Sequence, residues 1–288
     1  MNQKLEEVEV KHDEGKFTGA KSTELFYQRW KPADAPRAVI AIVHGFGEHS
    51  GRYPNVVNHF VPRGYAIYGF DHRGHGRSPG KRGHINAWSE FRDDMRAFVQ
   101  LIAAQEPNQP VFMLGHSLGG LIALEYVLRD PTGLRGVIAS SPLLAQAGLS
   151  PVVITLAKVL SRVAPTTAVK TGLDASTISR DPAVVKQYQE DPLVHSFGTP
   201  RLSTEITAAQ NWTNAHAGDL KLPLLLIVGS EDKLVPPEGG RKFFDAVTFA
   251  DKQKLDYPGA YHETHNDVIA PQVMADVERW LEAHLKDG

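Results

Sequence analysis

The sequence predicts an α/β domain with a mostly parallel central sheet, helices on both faces and one helical insertion. The clearest evidence is three apolar runs that lack alternation and are too short for helices, which is typical of buried parallel strands. These runs are residues 38–43 (AVIAIV), 111–114 (VFML) and 224–228 (LLLIV). Helical periodicity separates them, and strands that alternate with helices are typical of βαβ units.

The remaining elements can be assigned in order along the chain. Weaker strand signals lie at residues 66–70, 136–139 and 254–257, and helical periodicity lies at 91–102, 118–128 and 273–285. Residues 143–217 contain helix-like segments without a convincing strand, such as 151–164, which begins at Pro151. We therefore expect residues 1–142 and 218–288 to form the core, and residues 143–217 to form a helical cap.

The composition excludes several classes of protein. The chain has 288 residues, with 31 Lys and Arg against 33 Asp and Glu, and a formal net charge of -2. This balance gives no electrostatic support for nucleic-acid binding. The absence of cysteine excludes disulfides, thiolate metal sites and a cysteine nucleophile. The N-terminus is polar and no run approaches the ~18 apolar residues of a membrane span, so we expect a cytoplasmic protein.

A candidate nucleophile follows the second apolar run. Gly115, Ser117 and Gly119 form a G-x-S-x-G pattern between the predicted strand 111–114 and the predicted helix 118–128. In α/β-hydrolases this pattern is a strained strand-to-helix turn that exposes the serine at the end of the sheet. The glycines allow the strand and helix backbones to approach without a clash at Cβ.

A serine hydroxyl needs a base, and the base needs an orienting carboxylate. In this fold the carboxylate and then the histidine follow the serine in the chain. Asp232 lies just beyond the strand at 224–228 and is the predicted acid, with Glu231 as the alternative. His262 follows the last predicted strand and is the predicted base, with His265 as the alternative.

Two groups of residues raise the question of a metal site. His262 and His265 form a pair without a third ligand, which is weak evidence for a metal. The glycines around Asp71, His72 and His75 favour a tight structural loop. The sequence therefore predicts no metal and no organic cofactor.

The first apolar run leads directly into His44-Gly45-Phe46-Gly47. An HG-type loop after an early strand is where this fold places one oxyanion donor, and the residue after the nucleophile supplies the other. The predicted donors are the backbone N–H groups of Phe46 and Leu118.

Together these motifs resemble those of the monoacylglycerol lipases and lysophospholipases of the α/β-hydrolase superfamily. GHSLGG alone is typical of the superfamily, whereas HGFGEHSGRY is much more specific. The resemblance runs from about residue 40 to residue 267 through HGFGEHSGRY, DHRGHGRS, GHSLGG, SSPLL, YQEDPL, GSEDKLVP and GAYHETH. The first forty residues and the middle of the cap match no motif of the family.

The resemblance implies an α/β-hydrolase fold with a helical cap, and Ser117, Asp232 and His262 as a catalytic triad. It also implies a polar pocket that holds the glycerol end of a substrate. The residues implied for that pocket are Glu48, Arg52, Tyr188 and His265. Glu48 and Arg52 also fit an internal ion pair that braces their loop, and both roles can hold together.

We therefore expect a serine carboxylic ester hydrolase that cleaves monoacylglycerols, which are single-chain lipid esters. The sequence leaves open a lysophospholipase or a broad carboxylesterase and, with less support, a peptidase or a non-catalytic ligand-binding homologue. The largely apolar helix 151–164 fits either packing into the body of the protein or a lid facing lipid. Under the second interpretation, Val152, Val153, Leu156 and Leu160 are candidates for transient contact with a membrane surface.

Overall fold

The computed structural model describes residues 10–145 and 151–285, and only the backbone of residues 151–154. Its strands, in chain order, are β1 (Lys11–Thr18), β2 (Glu24–Lys31), β3 (Ala38–Val43), β4 (Tyr65–Phe70), β5 (Val111–His116), β6 (Gly136–Ser140), β7 (Val169–Lys170), β8 (Phe197–Gly198), β9 (Leu224–Gly229) and β10 (Lys252–Tyr257). Its α-helices are α1 (Pro54–Phe60), α2 (Ser89–Gln105), α3 (Leu118–Arg129), α4 (Pro151–Val163), α5 (Pro182–Glu190), α6 (Pro200–Ala215), α7 (Pro237–Ala246) and α8 (Ala270–Leu285).

Eight strands form one sheet in the order β1-β2-β4-β3-β5-β6-β9-β10. The six strands from β4 to β10 in this order are parallel to one another. β2 pairs antiparallel with both β1 and β4. The predicted mostly parallel sheet is confirmed.

The apolar runs are continuous because both faces of the sheet are covered. In β3, Val39, Ala41 and Val43 pack into an apolar core that also contains residues of α2, α3, α6 and α7. Ile40 and Ile42 point to the opposite face, where a second core contains residues of α1 and α8. All six residues of β3 are buried, so alternation disappears from its sequence.

The strands predicted at 38–43, 111–114 and 224–228 are confirmed, although β5 and β9 continue further than their apolar runs. The N-terminal hairpin of β1 and β2 was not predicted. Most β1 side chains are exposed at the edge of the sheet, so its sequence KHDEGKFT carries no apolar pattern.

Between β6 and β9 the chain leaves the sheet. Residues 143–217, which we call the cap segment, contain α4, α5 and α6 and the short strands β7 and β8. The prediction that this segment contains no strand is therefore wrong in detail, because β7 and β8 pair antiparallel over two residues each. The predicted helix at 151–164 is confirmed as α4. None of the helices in the described chain is long and apolar enough to span a membrane.

Candidate active site

The predicted site residues come from loops at one edge of the sheet. A continuous series of parallel pairings connects β3, β5, β6, β9 and β10. The carboxyl ends of these strands therefore lie at the same edge of the sheet. In open α/β sheets this edge is where sites form. The loops that follow β3, β5, β9 and β10 carry Phe46, Ser117, Asp232 and His262.

Ser117 occupies a strained turn between β5 and α3. Its backbone has φ 54° and ψ -118°, a region that residues other than glycine rarely adopt. Its N–H donates to the carbonyl of Ser140, at 3.0 Å, and its carbonyl accepts from the N–H of Leu143, at 2.9 Å. The surrounding structure therefore holds the serine in this conformation.

Two glycines allow that turn to form. A Cβ on Gly115 would lie 2.5 Å from the carbonyl oxygen of Gly119. A Cβ on Gly119 would lie 1.9 Å from the carbonyl oxygen of Val43. Both obstacles are backbone atoms, which cannot rotate away. The close approach expected from the G-x-S-x-G pattern is present on both sides of Ser117.

The side chain of Asp232 contacts the imidazole ring of His262. Asp232 Oδ2 lies 2.6 Å from His262 Nδ1. The other carboxylate oxygen, Oδ1, accepts from the backbone N–H groups of Leu234 and Val235, at 2.9 Å each. The side chain of Glu231 is exposed, so Asp232 is the carboxylate that contacts the histidine.

The electrostatics of His262 suit a base. Burial alone would lower the pKa of His262, but attraction to Asp232 and the hydrogen bond from Nδ1 raise that pKa above its ordinary value. Because Nδ1 is taken by Asp232, Nε2 is the ring nitrogen left for the serine.

Ser117 and His262 line the same cavity, which has a volume of about 530 Å³. In the described chain Ser117 Oγ makes no hydrogen bond to His262. Such contacts are often long in free enzymes and shorten when substrate binds. Apolar side chains of both the core and the cap segment line most of the cavity, among them Leu143, Leu156, Leu160, Val169, Leu173, Leu202, Ile206, Leu234 and Val235.

The predicted oxyanion loop is fixed by buried histidines. His44 Nε2 accepts from the backbone N–H of His72, at 2.9 Å, so Nδ1 carries the proton and donates to the carbonyl of Gly45, at 2.8 Å. The N–H of Phe46 has no acceptor within the described chain. Leu118 is the first residue of α3, where N–H groups have no intrahelical acceptor. Both donors are therefore available to a ligand.

One end of the cavity is polar. Arg52 donates to both oxygens of Glu263, at 2.8 Å each, and to Glu48, at 2.9 Å. Glu48 also accepts from the N–H of Gly45, at 2.6 Å. The guanidinium carbon of Arg52 lies 4.6 Å from the centre of the Tyr188 ring. The internal ion pair expected for Glu48 and Arg52 is present, and both side chains also line the cavity.

Glu263 was missed by the sequence reasoning. It directly follows His262, and nothing in its local sequence indicates that it forms an ion pair with Arg52, which lies 211 positions earlier in the chain. The two carboxylates differ electrostatically. Burial raises the pKa of Glu48 above its ordinary value. Burial acts in the same direction on Glu263, but the ion pair with Arg52 outweighs it and lowers the pKa of Glu263.

His265 does not line the cavity. Its ring stacks on Tyr53, with centroids 4.8 Å apart and planes 2° from parallel, and it meets His116 edge-on at 4.8 Å. Burial lowers the pKa of His265 to about 4, so the ring is neutral near pH 7. Its two ring nitrogens have no hydrogen-bond partner in the described chain.

The histidines of the DHRGHG motif have structural contacts. His72 Nε2 lies 3.1 Å from the carbonyl of His44, and His75 Nδ1 lies 3.1 Å from the carbonyl of Arg73. Among residues 10–145 and 151–285, no three His, Asp or Glu side chains are grouped so that they could hold a metal ion.

Comparison with known proteins gives a consistent result. The model of the family Hydrolase_4, whose description is "Serine aminopeptidase, S33", matches residues 34–269. A monoacylglycerol lipase of Mycolicibacterium smegmatis is 39% identical over 280 residues, which cover 96% of this chain and 100% of that protein. Phospholipase YtpA of Bacillus subtilis is 35% identical over 245 residues, covering 83% of this chain and 92% of the phospholipase.

A solved structure is similar over almost the same span. The crystal structure of Paleococcus ferrophilus monoacylglycerol lipase superposes with a TM-score of 0.83 at 36% identity, covering 91% of this chain and 99% of that one. The α/β-hydrolase fold predicted from the sequence is confirmed.

Proposed function

Since this chain belongs to the Hydrolase_4 family of α/β-hydrolases, among the monoacylglycerol lipases, we propose that it hydrolyses monoacylglycerols to glycerol and a fatty acid. The observation that carries the proposal is the cavity itself. It combines a strained serine, a histidine held by a buried carboxylate, apolar walls and one polar end.

In the proposed acylation step, Ser117 Oγ attacks the ester carbonyl while His262 Nε2 takes its proton. Asp232 keeps Nδ1 protonated and stabilises the imidazolium that forms. The N–H groups of Phe46 and Leu118 donate to the carbonyl oxygen as it gains negative charge; loss of one such donor typically costs ~3 kcal/mol in the transition state. The tetrahedral intermediate collapses, and His262 gives the proton to the leaving glycerol oxygen.

Deacylation repeats these roles with water. His262 takes a proton from a water molecule as its oxygen attacks the carbonyl of the acyl-enzyme. The same two N–H groups stabilise the second tetrahedral intermediate. When that intermediate collapses, Ser117 Oγ leaves and recovers its proton from His262. The fatty acid is released, and no redox partner or additional reactant is needed.

We assign the acyl chain to the apolar part of the cavity and the glycerol to its polar end. Glu48 and Arg52 offer acceptor and donor atoms there, and Tyr188 covers the guanidinium of Arg52. His265 was expected to be a fourth contact to glycerol. Since it packs behind the cavity against Tyr53, we give it a positioning role instead.

We further propose that the cap segment forms a lid over the cavity and contacts lipid surfaces. Six of the eight large apolar side chains exposed in the described chain belong to it: Leu156, Val159, Val163, Val169, Leu173 and Phe197. Leu156, Val169 and Leu173 also line the cavity, so the exposed apolar surface is continuous with the substrate site. The side chains of Val152 and Val153, also predicted for this surface, lie outside the described residues.

A second candidate is a lysophospholipase or phospholipase, because a relative with that activity in its name is 35% identical over most of its length. Both activities would use the same serine chemistry and would differ only in the head group. A peptidase, which the family description raises, has no observation at the site in its favour.

The test is a comparison of initial rates on three esters: a monoacylglycerol, a lysophosphatidylcholine with the same acyl chain, and a short nitrophenyl ester. Ser117→Ala is the control and should abolish turnover of all three. Preference for the monoacylglycerol supports the proposal. Preference for the lysophospholipid supports the second candidate, and cleavage of only the nitrophenyl ester indicates a general carboxylesterase.

A further inference from the structure

The charged side chains that line the cavity are predominantly acidic. In the described chain they are three carboxylates and one guanidinium: Glu48, Asp174, Glu263 and Arg52. The guanidinium is already paired, because three of its five N–H groups donate to Glu48 and to both oxygens of Glu263. The ring of Tyr188 covers its face.

Both carboxylates accept hydrogen bonds from neighbouring donors, and the ion pair with Arg52 lowers the pKa of Glu263 and keeps that carboxylate ionised. Glu48 Oε1 accepts from the N–H of Gly45 and the hydroxyl of Tyr53, and its Oε2 accepts from Arg52. Glu263 accepts from Arg52 and from the side-chain amide of Asn266. A neutral glycerol can share these acceptors through its hydroxyl hydrogens, whereas a phosphate monoester is mostly a dianion at neutral pH and offers chiefly acceptor oxygens.

Proteins that recognise phosphate supply Arg, Lys or unpaired backbone N–H groups. At this polar end a phosphate would instead lie beside a buried Arg that is already paired with two carboxylates. Placing like charges together is a common way in which sites reject related ligands. Asp174 adds a third negative charge, on an exposed part of the lining.

We propose that Glu263, together with Glu48 and Asp174, makes this cavity select single-chain esters with neutral head groups and reject those that carry a phosphate. The inference rests on the proposed function, because it assigns the head group to the polar end. It identifies Glu263 as the residue that determines specificity, since Glu263 binds the guanidinium in bidentate fashion and has no assigned role in the ester chemistry.

The first experiment uses the unmodified protein and does not depend on turnover of any lipid. Hydrolysis of a short nitrophenyl ester is inhibited with 1-O-octylglycerol and, separately, with 1-O-octylglycerol phosphate, both below their micellar concentrations. We expect the phosphate to inhibit at least tenfold more weakly, a difference of 1.4 kcal/mol. Equal or stronger inhibition by the phosphate overturns the proposal, even if the protein proves not to be a monoacylglycerol lipase.

The second experiment tests the residues. The ratio of kcat/KM for a monoacylglycerol to that for the corresponding 1-acylglycerol phosphate is measured in Glu263→Gln, Asp174→Asn and Asp245→Asn. We expect at least a tenfold fall in this ratio for Glu263→Gln and a two- to threefold fall for Asp174→Asn. Asp245 is exposed on α7 and does not line the cavity, so its variant should leave the ratio unchanged.

Because the two kcat/KM values are compared within one variant, their ratio is not affected by a general loss of activity in Glu263→Gln. If Glu263→Gln does not fold, the ratio measured in Asp174→Asn still tests whether carboxylates of the lining disfavour phosphate. Asp174→Asn should fold, because Asp174 is exposed and caps only a short turn through Ser176. Unchanged ratios in the folded variants would overturn the assignment to these carboxylates. Failure of the wild type to cleave monoacylglycerol, with the difference between the two inhibitors intact, would instead contradict the proposed function alone.

Discussion

Asp232 lies 2.6 Å from His262 Nδ1 and uses its other oxygen to bind two backbone N–H groups of its own loop. The carboxylate is thus fixed on one side and orients the imidazole on the other. This arrangement determines which tautomer of His262 faces Ser117, and two of the predictions below depend on it.

Replacing Asp232 with Asn should remove activity while leaving the fold intact. The amide keeps the size of the carboxylate but does not stabilise the imidazolium and favours the wrong tautomer. We expect kcat to fall by about 10⁴, the loss seen when the orienting Asp of a serine protease is changed to Asn. The matched control is Glu231→Gln, since Glu231 is the exposed neighbour. A variant Asp232→Asn with more than a tenth of wild-type kcat would contradict the assignment.

The pH dependence of kcat/KM should depend on the contact between Asp232 and His262. Asp232 raises the pKa of His262 above its ordinary value of 6.5. Because the imidazole accepts a proton only when neutral, activity should fall as pH decreases through that raised pKa, with a midpoint above 6.5. In Asp232→Asn the attraction is lost while burial remains, so the midpoint of any residual activity should move to lower pH. A wild-type midpoint below 6.5 would argue against this electrostatic picture.

The catalytic candidates could be predicted from sequence because each depends on a short local pattern. Ser117, Asp232 and His262 all follow strand signals, and parallel strands bring their carboxyl ends together. Glu263 could not be predicted, because its significance comes from Arg52, which is 211 residues away in the chain. His265 was placed in the glycerol pocket by resemblance alone, whereas its side chain packs against Tyr53 behind the cavity.

Gly119→Ala should prevent the turn at Ser117 from forming. The added Cβ would lie 1.9 Å from the carbonyl oxygen of Val43 and 2.4 Å from that of His44. Because both are backbone atoms, β3 and α3 must separate, and we expect a loss of about 3 kcal/mol in the free energy of unfolding. Gly218→Ala is the control, since its Cβ would meet only ordinary contacts at 3.6 Å or more. Equal midpoints in urea for both variants would show that the close approach is not required.

Contact between the cap segment and lipid can be tested without disturbing the cavity. Val159 and Val163 lie on one face of α4, are 51% and 73% exposed, and do not line the cavity. The double change of Val159 and Val163 to Asp should weaken flotation with phosphatidylcholine vesicles at least tenfold, because burying each valine contributes ~1.5 kcal/mol or more and a tenfold change corresponds to about 1.4 kcal/mol. Gln272→Asp, an exposed change at the start of α8, is the control. Flotation that is absent in the wild type, or equal in all three proteins, would remove the membrane proposal.

Arg52→Met should destabilise the fold more than any single change to a surface ion pair. It leaves Glu48 and Glu263 buried side by side with no cation between them, and removing one partner of a buried pair typically costs about 3–5 kcal/mol. The matched control is Arg96→Met, because the guanidinium of Arg96 pairs with Asp93 on the exposed face of α2 and its loss should cost less than about 1 kcal/mol.

The loss of stability in Arg52→Met should also shrink at low pH, because protonation of the two carboxylates removes their repulsion. Urea unfolding at pH 7 and pH 5 measures both effects, and a loss for Arg52→Met no larger than that for Arg96→Met would mean that the acidic end of the cavity is stable without its guanidinium.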